Sequence, residues 1–572
     1  MAAGNEIGIQ SVLHSIEQGR LAPIIKGTMV GTLIVALSLL YIFVQFRGFS
    51  TPTAMDQAQI ARNIARGKGF TTGYIRPLAI YQLEYAGKKP DASTFPDFYQ
   101  SPLGPIVNSL AVFAAKSSWK IGPTDLVYGP ERAIAVLSVV LFVLAMIVWY
   151  FVGKKLFDAT LSALGCTSVL LTDLMWQFSI SGLPQMLILL LFGGAILLTL
   201  TAMEIQDETK ACFARLFGSG LFFGLMVLTH ALVVWIFLGW LLFVVVYFRP
   251  RGVAALVPLA AVVLVVTPWL VRNYAVCGNP FGLAGYEILT NGASAESGYL
   301  RSLDEPPSVS NMHALSTIRV GTFRQVGELF AFLGMNFIAG AFFLALLHPF
   351  RNPFAAALRW SVLLAWIGCV VGMSLFGLGA PVSSNQLHIL FIPIFAFYGL
   401  AFLVVIWNRL EFEAPILRKL FLAGVLIVGA FPMLGTHLAG RQFAIQWPPY
   451  VPPIIGVLND WFSEDEVIAS DMPWAVAWYS DRPALLLPES VKAFSRISDF
   501  RLVDKPVKGL FLTPVTGNLA LFPDIYKGSY KDWALLITRP PRVEGFALPF
   551  YTGLPIEGEC IIFSDRDRWS RR

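Results

Sequence analysis

The chain has 572 residues, 56% of them hydrophobic and 14% charged, with a mean hydropathy of +0.65. Repeated apolar runs at that hydropathy exclude a soluble globular protein and indicate a polytopic membrane protein. The net charge of +6 does not point to nucleic acid, because the basic residues sit in short clusters between apolar runs. The five cysteines are scattered without a CxxC pair, which gives neither a disulfide framework nor a zinc site.

The N-terminal stretch Met1 to Lys26 is polar and lacks a cleavable signal pattern, so the first span is expected to stay as an anchor. Apolar spans are predicted at 28–46, 132–151, 158–176, 183–201, 215–229, 231–248, 253–271, 328–347, 358–378, 387–406 and 415–433. A further apolar segment, 102–118, starts Ser101-Pro102-Leu103-Gly104-Pro105 and carries Asn108 and Lys116. The basic clusters decide its fate. With Arg20 and Lys26 cytoplasmic and 102–118 not crossing, Lys154/Lys155, Lys210/Arg215, Arg249/Arg251, Arg351/Arg359 and Arg409/Arg418/Lys419 all fall inside. If it crosses, all five clusters flip outside, against the positive-inside rule. The expectation is therefore an in-plane or re-entrant segment and eleven spans. Loops 47–131 and 272–327 and the tail from about 438 then lie outside.

The first loop opens with Ser50-Thr51-Pro52-Thr53-Ala54-Met55-Asp56-Gln57, continuing to Gly67-Lys68-Gly69-Phe70. Ala54, Ala58, Ala61, Ala65, Ile60 and Ile64 share one side of a helical wheel; Asp56, Gln59, Arg62, Asn63 and Arg66 share the other. That reads as a short amphipathic helix suited to the membrane interface, started at Pro52-Thr53 and stopped by the glycines. Thr53-x-x-Asp56 matches a capping box, which is the plain structural reading of Asp56. A carboxylate fixed at a helix start is equally pre-positioned for chemistry.

Arg62, Arg66, Arg76, Arg132 and Arg272 are expected at the outer surface, with Arg132 and Arg272 at span ends. There an arginine can snorkel or can hold a phosphate bidentately. His230 falls at a hinge between two short spans, and Asn385, Gln386 and His388 at the start of another. Such polar groups are costly unless hydrogen-bonded or used. Glu131, Glu84, Asp91 and Asp97 share the first loop with Asp56, as candidates to hold a divalent cation if they converge. Gly218-x-Gly220 lies inside an apolar span, so no nucleotide cofactor is expected. The Gly, Ser and Pro content of 272–327 suggests a mobile flap. In the tail, Trp447 to Pro453 looks like a linker. Strand-like runs at 467–470, 484–488, 509–512, 534–537 and 560–563, with a helical stretch from Trp474 to Tyr479, suggest a small α/β domain.

Four stretches carry a family resemblance. They are Asp56 with Ala61-Arg62-Asn63-Ile64-Ala65-Arg66-Gly67; Tyr99-Gln100-Ser101-Pro102-Leu103-Gly104-Pro105 with Gly122 to Arg132; Pro268-Trp269-Leu270-Val271-Arg272-Asn273 to Pro280; and Ala469-Ser470-Asp471-Met472-Pro473-Trp474 to Pro483. In these the chain resembles the GT-C membrane glycosyltransferases, in particular the bacterial branch related to protein O-mannosyltransferases and lipid A aminoarabinose transferases. The resemblance implies a helical membrane module over 1–437 and an extracytoplasmic α/β domain over 438–572. It implies an inverting transferase in a bacterial inner membrane, N-terminus cytoplasmic and tail periplasmic. Such an enzyme moves a sugar from a polyprenyl-phosphate donor to a glycan, lipid or protein acceptor on the outer face.

In that scheme Asp56 is the catalytic base, and Arg272, Arg132, Arg76 and Arg62 meet the donor phosphate. His230, Gln386, His388, Glu131 and Tyr99 are candidate substrate contacts. Family members often carry two adjacent acids where this chain has Asp56-Gln57, a departure that bears on any divalent cation. His230 stands where many members carry Lys or Arg. Two other readings share the many spans. One is a lipid or sugar transporter or flippase, against which stand the long polar first loop, the globular tail and the lack of a duplicated half. The other is an inactive scaffold subunit of the same fold.

Overall fold

The computed structural model describes residues 21–125, 127–290, 298–305, 314–410, 415–438, 452–514, 528, 530–538, 546–554 and 560–570. Arg20, most of the linker at 447–453, and the stretches 291–297 and 306–313 of the long loop lie outside the described residues. Among the described residues, eight helices are long and apolar enough to cross a membrane: Gly27–Gln45, Gly129–Leu156, Gln185–Glu204, Thr209–Thr229, Val253–Cys277, Pro353–Phe376, His388–Arg409 and Ile416–Leu438. The expected span at 158–176 is instead a bent pair, Ala159–Leu170 and Asp173–Ile180, meeting at 63°. Asn336 fills the break, its Nδ2 donating to Ser168 Oγ (3.1 Å) and Thr172 Oγ1 (2.9 Å).

The expected span at 328–347 is not one helix. It is three four-residue helices, Leu329–Phe332, Phe337–Gly340 and Phe342–Ala345. Gly334 and Met335 have positive φ (67° and 56°), which an α-helix does not tolerate, and Asn336 caps the restart by accepting from Ala339 N. Val233–Tyr247 is short, at 15 residues, and packs flush on Pro353–Phe376. Two glycines make that contact: a methyl on Gly239 would overlap the Leu364 carbonyl, and one on Gly368 the Trp235 carbonyl.

The segment at 102–118 forms the helix Leu103–Ala114, whose 12 residues span about 18 Å, too short to cross. Gly104, Pro105, Ser109 and Val112 are buried, while Ile106, Leu110 and Phe113 are exposed on the other side. The helix Pro52–Ala65 departs from the expectation of an interfacial helix: both of its faces are covered. One side packs on Leu103–Ala114; the other is covered by Pro473–Ala475 and the turns Val476–Ser480 of the tail.

The tail's sheet explains that cover. Its strands are β1 (Tyr74–Ile75), β2 (Val467–Ser470), β3 (Ala484–Leu486), β4 (Val507–Leu512), β5 (Phe550–Gly553) and β6 (Ile561–Ser564), in the order β1-β3-β2-β4-β6-β5. The pairs β1·β3, β2·β3 and β2·β4 are parallel; β4·β6 and β5·β6 are antiparallel. β1 belongs to the first loop, so that loop supplies an edge strand to the tail's sheet. The run 534–537, expected as a strand, is the helix Ala534–Thr538. Cys560 to Phe563 pairs as Ile561–Ser564.

The long loop after Val253–Cys277 is also tied to the tail. Arg301 is fully buried, donating from Nε to Leu487 O (2.7 Å) and from Nη2 to Pro488 O (2.9 Å), with its guanidinium over the Tyr530 ring. Within the loop expected as a mobile flap, Gly298–Arg301 is therefore held against the tail.

Candidate active site

The N-cap of the helix Pro52–Ala65 lies two residues before the Thr53 of the expected capping box. Thr51 is its N-cap, its Oγ1 accepting from Ala54 N at 3.4 Å, and Pro52 is the first helical residue. No acid stands in the first turn, so Asp56 is not the acid of a capping box. Asp56 is 1% exposed. A charge that deep is costly unless paired, and this one is. Arg76 Nη2 lies 2.5 Å from Asp56 Oδ2, Gln100 Nε2 donates to the same oxygen at 2.7 Å, and Gln59 Nε2 donates to Oδ1 at 3.1 Å. Gln59 is itself fixed, donating to Thr72 Oγ1 (2.6 Å) and accepting from Gly73 N (2.8 Å).

Arg76 joins a second acid. Its Nη1 is 3.5 Å from Asp97 Oδ2, and its guanidinium is sandwiched between the Tyr74 and Tyr99 rings at 3.9 and 4.1 Å. Asp97 Oδ1 accepts from Tyr99 N and Gln100 N (3.0 and 2.8 Å). Burial, with the nearby Asp56 charge, pushes the Asp97 carboxyl up to about 6 despite Arg76 and these two hydrogen bonds. Burial opposes the charge on Arg76, but Asp56, Tyr74, Asp97 and Tyr99 more than offset it, so Arg76 is held even more firmly protonated than usual.

Beside this cluster opens a cavity of about 420 Å³. Tyr99, Tyr286, Tyr299 and Phe376 give it aromatic walls; Gln57, Gln100 and Asn385 give it amides. Glu287 is its carboxylate, and burial raises that group's pKa although Tyr99 bonds to it and Arg76 attracts it. His230 is its imidazole. His230 Nδ1 accepts from Leu232 N (3.3 Å), which leaves the neutral ring's proton on Nε2, 3.4 Å from Ser384 Oγ. Burial holds His230 down at about 4, so it is uncharged at neutral pH. Asp56 is not among the lining residues. Gln100 separates it from the cavity, held by Gln57 Nε2 donating to Gln100 Oε1 (3.1 Å).

No family model and no curated protein matches the chain. Solved structures do. The oligosaccharyltransferase of Archaeoglobus fulgidus, tethered to an acceptor peptide, matches with TM-score 0.53 and 15% identity over 85% of this chain and 69% of that one. The archaeal oligosaccharyltransferase AglB of the same organism, with an inhibitory peptide and a dolichol-phosphate, matches with TM-score 0.50 and 11% identity over 87% and 70%. ArnT from Cupriavidus metallidurans, bound to undecaprenyl phosphate, matches with TM-score 0.50 and 13% identity over 94% and 98%. This chain has the GT-C fold of membrane glycosyltransferases.

Within the GT-C fold the expected site residues separate into groups. Asp56 and Arg76 come together; Tyr99 lies against Arg76 and lines the cavity, as does His230. Arg62 and Glu131 face the tail instead. Arg62 donates to Trp478 O and Ala477 O (both 2.7 Å) and pairs with Asp481 (2.9 Å). Glu131 Oε1 accepts from Trp478 Nε1 (2.9 Å) and Tyr479 OH (2.6 Å). Arg272 pins the first loop, donating to the carbonyls of Asp97 and Phe70, with Trp269 stacked 4.7 Å from its guanidinium.

Gln386 is buried in a joint, donating to Phe332 O (2.8 Å) and accepting from Ile389 N (3.2 Å). His388 is buried beside it, with Nδ1 accepting from Trp366 Nε1 (3.1 Å). Arg132 is half-buried 5.7 Å from the Phe43 ring, and its guanidinium has no hydrogen-bond partner among the described residues. Of the other loop acids, Glu84 is exposed and Asp91 accepts from Ser93 and Thr94. Among the described residues no group of three or more His, Cys, Asp or Glu side chains could hold a metal.

The sequence reading missed Gln59, Gln100 and Glu287. Gln100 stands next to Tyr99 in a stretch already singled out, but nothing in its spacing showed that it points at Asp56.

Proposed function

We propose that this protein is an inverting glycosyltransferase that moves a sugar from a polyprenyl-phosphate donor to an acceptor at the outer face of the membrane. The GT-C fold, matched over almost the whole length of both this chain and ArnT, is the observation that carries the reading. The neighbours' structures hold undecaprenyl phosphate, dolichol-phosphate and acceptor peptide, and these define the ligand classes by analogy. The cavity fits the donor's sugar. Aromatic faces suit the C–H faces of a pyranose ring, while Gln57, Gln100 and Asn385 suit its hydroxyls.

In the reaction the acceptor's nucleophilic atom attacks the anomeric carbon. The new glycosidic bond forms as the anomeric carbon–oxygen bond to the phosphate breaks, and polyprenyl phosphate departs. The acceptor's proton passes to Asp56 as general base. Gln100 must turn aside for that transfer, since it stands between the carboxylate and the cavity. Among the described residues no lysine or arginine lines the cavity, and His230 is neutral. We therefore assign the lipid phosphate to Arg132, the one of the four expected arginines that its neighbours leave uncommitted. In this reading Arg62, Arg76 and Arg272 build the site instead of touching the phosphate.

The test is Arg132→Ala against Arg132→Lys, with binding of undecaprenyl phosphate measured on purified protein. Weaker binding in the Ala variant with partial retention in Lys supports the assignment; unchanged binding in both removes it.

A further inference from the structure

Two carboxylates sharing a buried place ordinarily require a cation or a proton. Here the chain supplies the cation itself. The Arg76 guanidinium lies 2.5 Å from Asp56 Oδ2 and 3.5 Å from Asp97 Oδ2, is 2% exposed, and has a tyrosine ring on each face. The remaining contacts to the two acids are N–H donors: Gln59 Nε2 and Gln100 Nε2 to Asp56, Tyr99 N and Gln100 N to Asp97. The Gln59 amide orientation is fixed, because Gln59 Oε1 accepts from Gly73 N, and Gln100 Oε1 accepts from Gln57 Nε2. A divalent ion needs converging lone pairs; these neighbours present hydrogens.

We propose that Arg76 is the resident cation of this site, a positioning residue that fills the place between Asp56 and Asp97 and leaves no room for a divalent ion there. Its backbone follows directly on β1, the strand that completes the tail's sheet, so docking of the tail also places this cation. The relevance to transfer rests on reading Asp56 as the base; the occupancy of the place does not.

The experiment uses full-length protein in nanodiscs, stripped with chelator and titrated with Mn²⁺. Bound Mn²⁺ is read by electron paramagnetic resonance and stability by thermal unfolding. Wild type should bind no stoichiometric Mn²⁺, and its midpoint should ignore both chelator and Mn²⁺. Arg76→Ala should unfold at lower temperature and be restored by methylguanidinium, which leaves wild type unmoved. Arg76→Lys, which keeps the charge and loses the fork, should fall between them. If Arg76→Ala yields no folded protein, the wild-type titration and the Lys variant decide. One Mn²⁺ bound to wild type, lost in Asp56→Asn or Asp97→Asn, would overturn the proposal. So would an Arg76→Ala variant as stable as wild type. None of these readouts uses activity, so they stand even if the transferase reading fails.

Discussion

Asp56 is the counter-ion of Arg76 in the structure and the general base in the proposed reaction. It is not a helix cap, because Thr51 holds that position, so Asp56→Asn leaves the cap untouched. It does leave Arg76 paired with Asp97 alone. Removing one partner of a buried pair costs about 3–5 kcal/mol, and Asp97 recovers part of it. Asp56→Asn should therefore unfold at measurably lower temperature and lose on the order of a hundredfold in transfer rate, while still binding undecaprenyl phosphate. A folded, donor-binding variant of undiminished rate would remove Asp56 from the chemistry.

Asp97 makes a pH prediction. Its folded value of about 6 lies above the ordinary 3.8, so the folded state takes up a proton that the unfolded chain does not as pH falls through 6. The stabilisation is complete below about 4 and is lost as pH rises through 6. Asp97→Asn abolishes this contribution, so the difference in unfolding midpoint between variant and wild type should change between pH 7 and pH 5. A difference independent of pH would show that Asp97 stays ionised.

At the scale of elements, the helix Pro52–Ala65 is held by the tail. Arg66 pairs bidentately with Asp481 (2.7 and 2.6 Å), and Arg62 reaches the same carboxylate and two tail carbonyls. Burial resists the charge on Asp481, but Arg62 and Arg66 more than compensate and lower its pKa. Asp481→Ala strips both arginines of their counter-ion and loosens the helix that presents Asp56. Because β1 is an edge strand of only two residues, its hydrogen bonds should open first. Deuterium exchange at Tyr74 and Ile75 should accelerate in Asp481→Ala, while exchange in Gln185–Glu204 stays as in wild type. Unchanged protection at β1 would mean that strand pairing alone holds the tail in place.

For the whole molecule the open quantity is sidedness. From the basic clusters we expect Lys154 and Arg351 on the cytoplasmic side and Ser93 on the opposite one; all three are exposed. A membrane-impermeant thiol reagent should label a cysteine at 93 in intact cells and miss cysteines at 154 and 351. Labelling at both 93 and 154 would mean that Leu103–Ala114 belongs to a crossing segment; labelling at 154 without 93 would mean that the whole topology is inverted and that Asp56 faces the cytoplasm.

Much of the architecture was legible in the chain because hydropathy and charge act locally. Eight long apolar helices, the short segment at 102–118 and four of the tail's strands follow from runs of apolar residues and their breaks. The interruption at 334–336 was not legible, since Gly334 of its turn packs against Thr172 at the break of the bent pair and Leu174 on that pair's second helix. The strand β1 is too short to carry a pattern and is defined by its pairing with β3, beside which Ala484 N donates to the Gly73 carbonyl. The site shows the same division. Composition and resemblance led to Asp56, but the roles of the arginines depend on which carboxylates and carbonyls lie within hydrogen-bond reach. Arg62 meets residues some 415 positions away, and Arg76 meets Asp56 from 20 positions along the chain. A guanidinium reads the same in sequence whether it snorkels, holds a phosphate or neutralises a buried acid; only packing decides which of these it does.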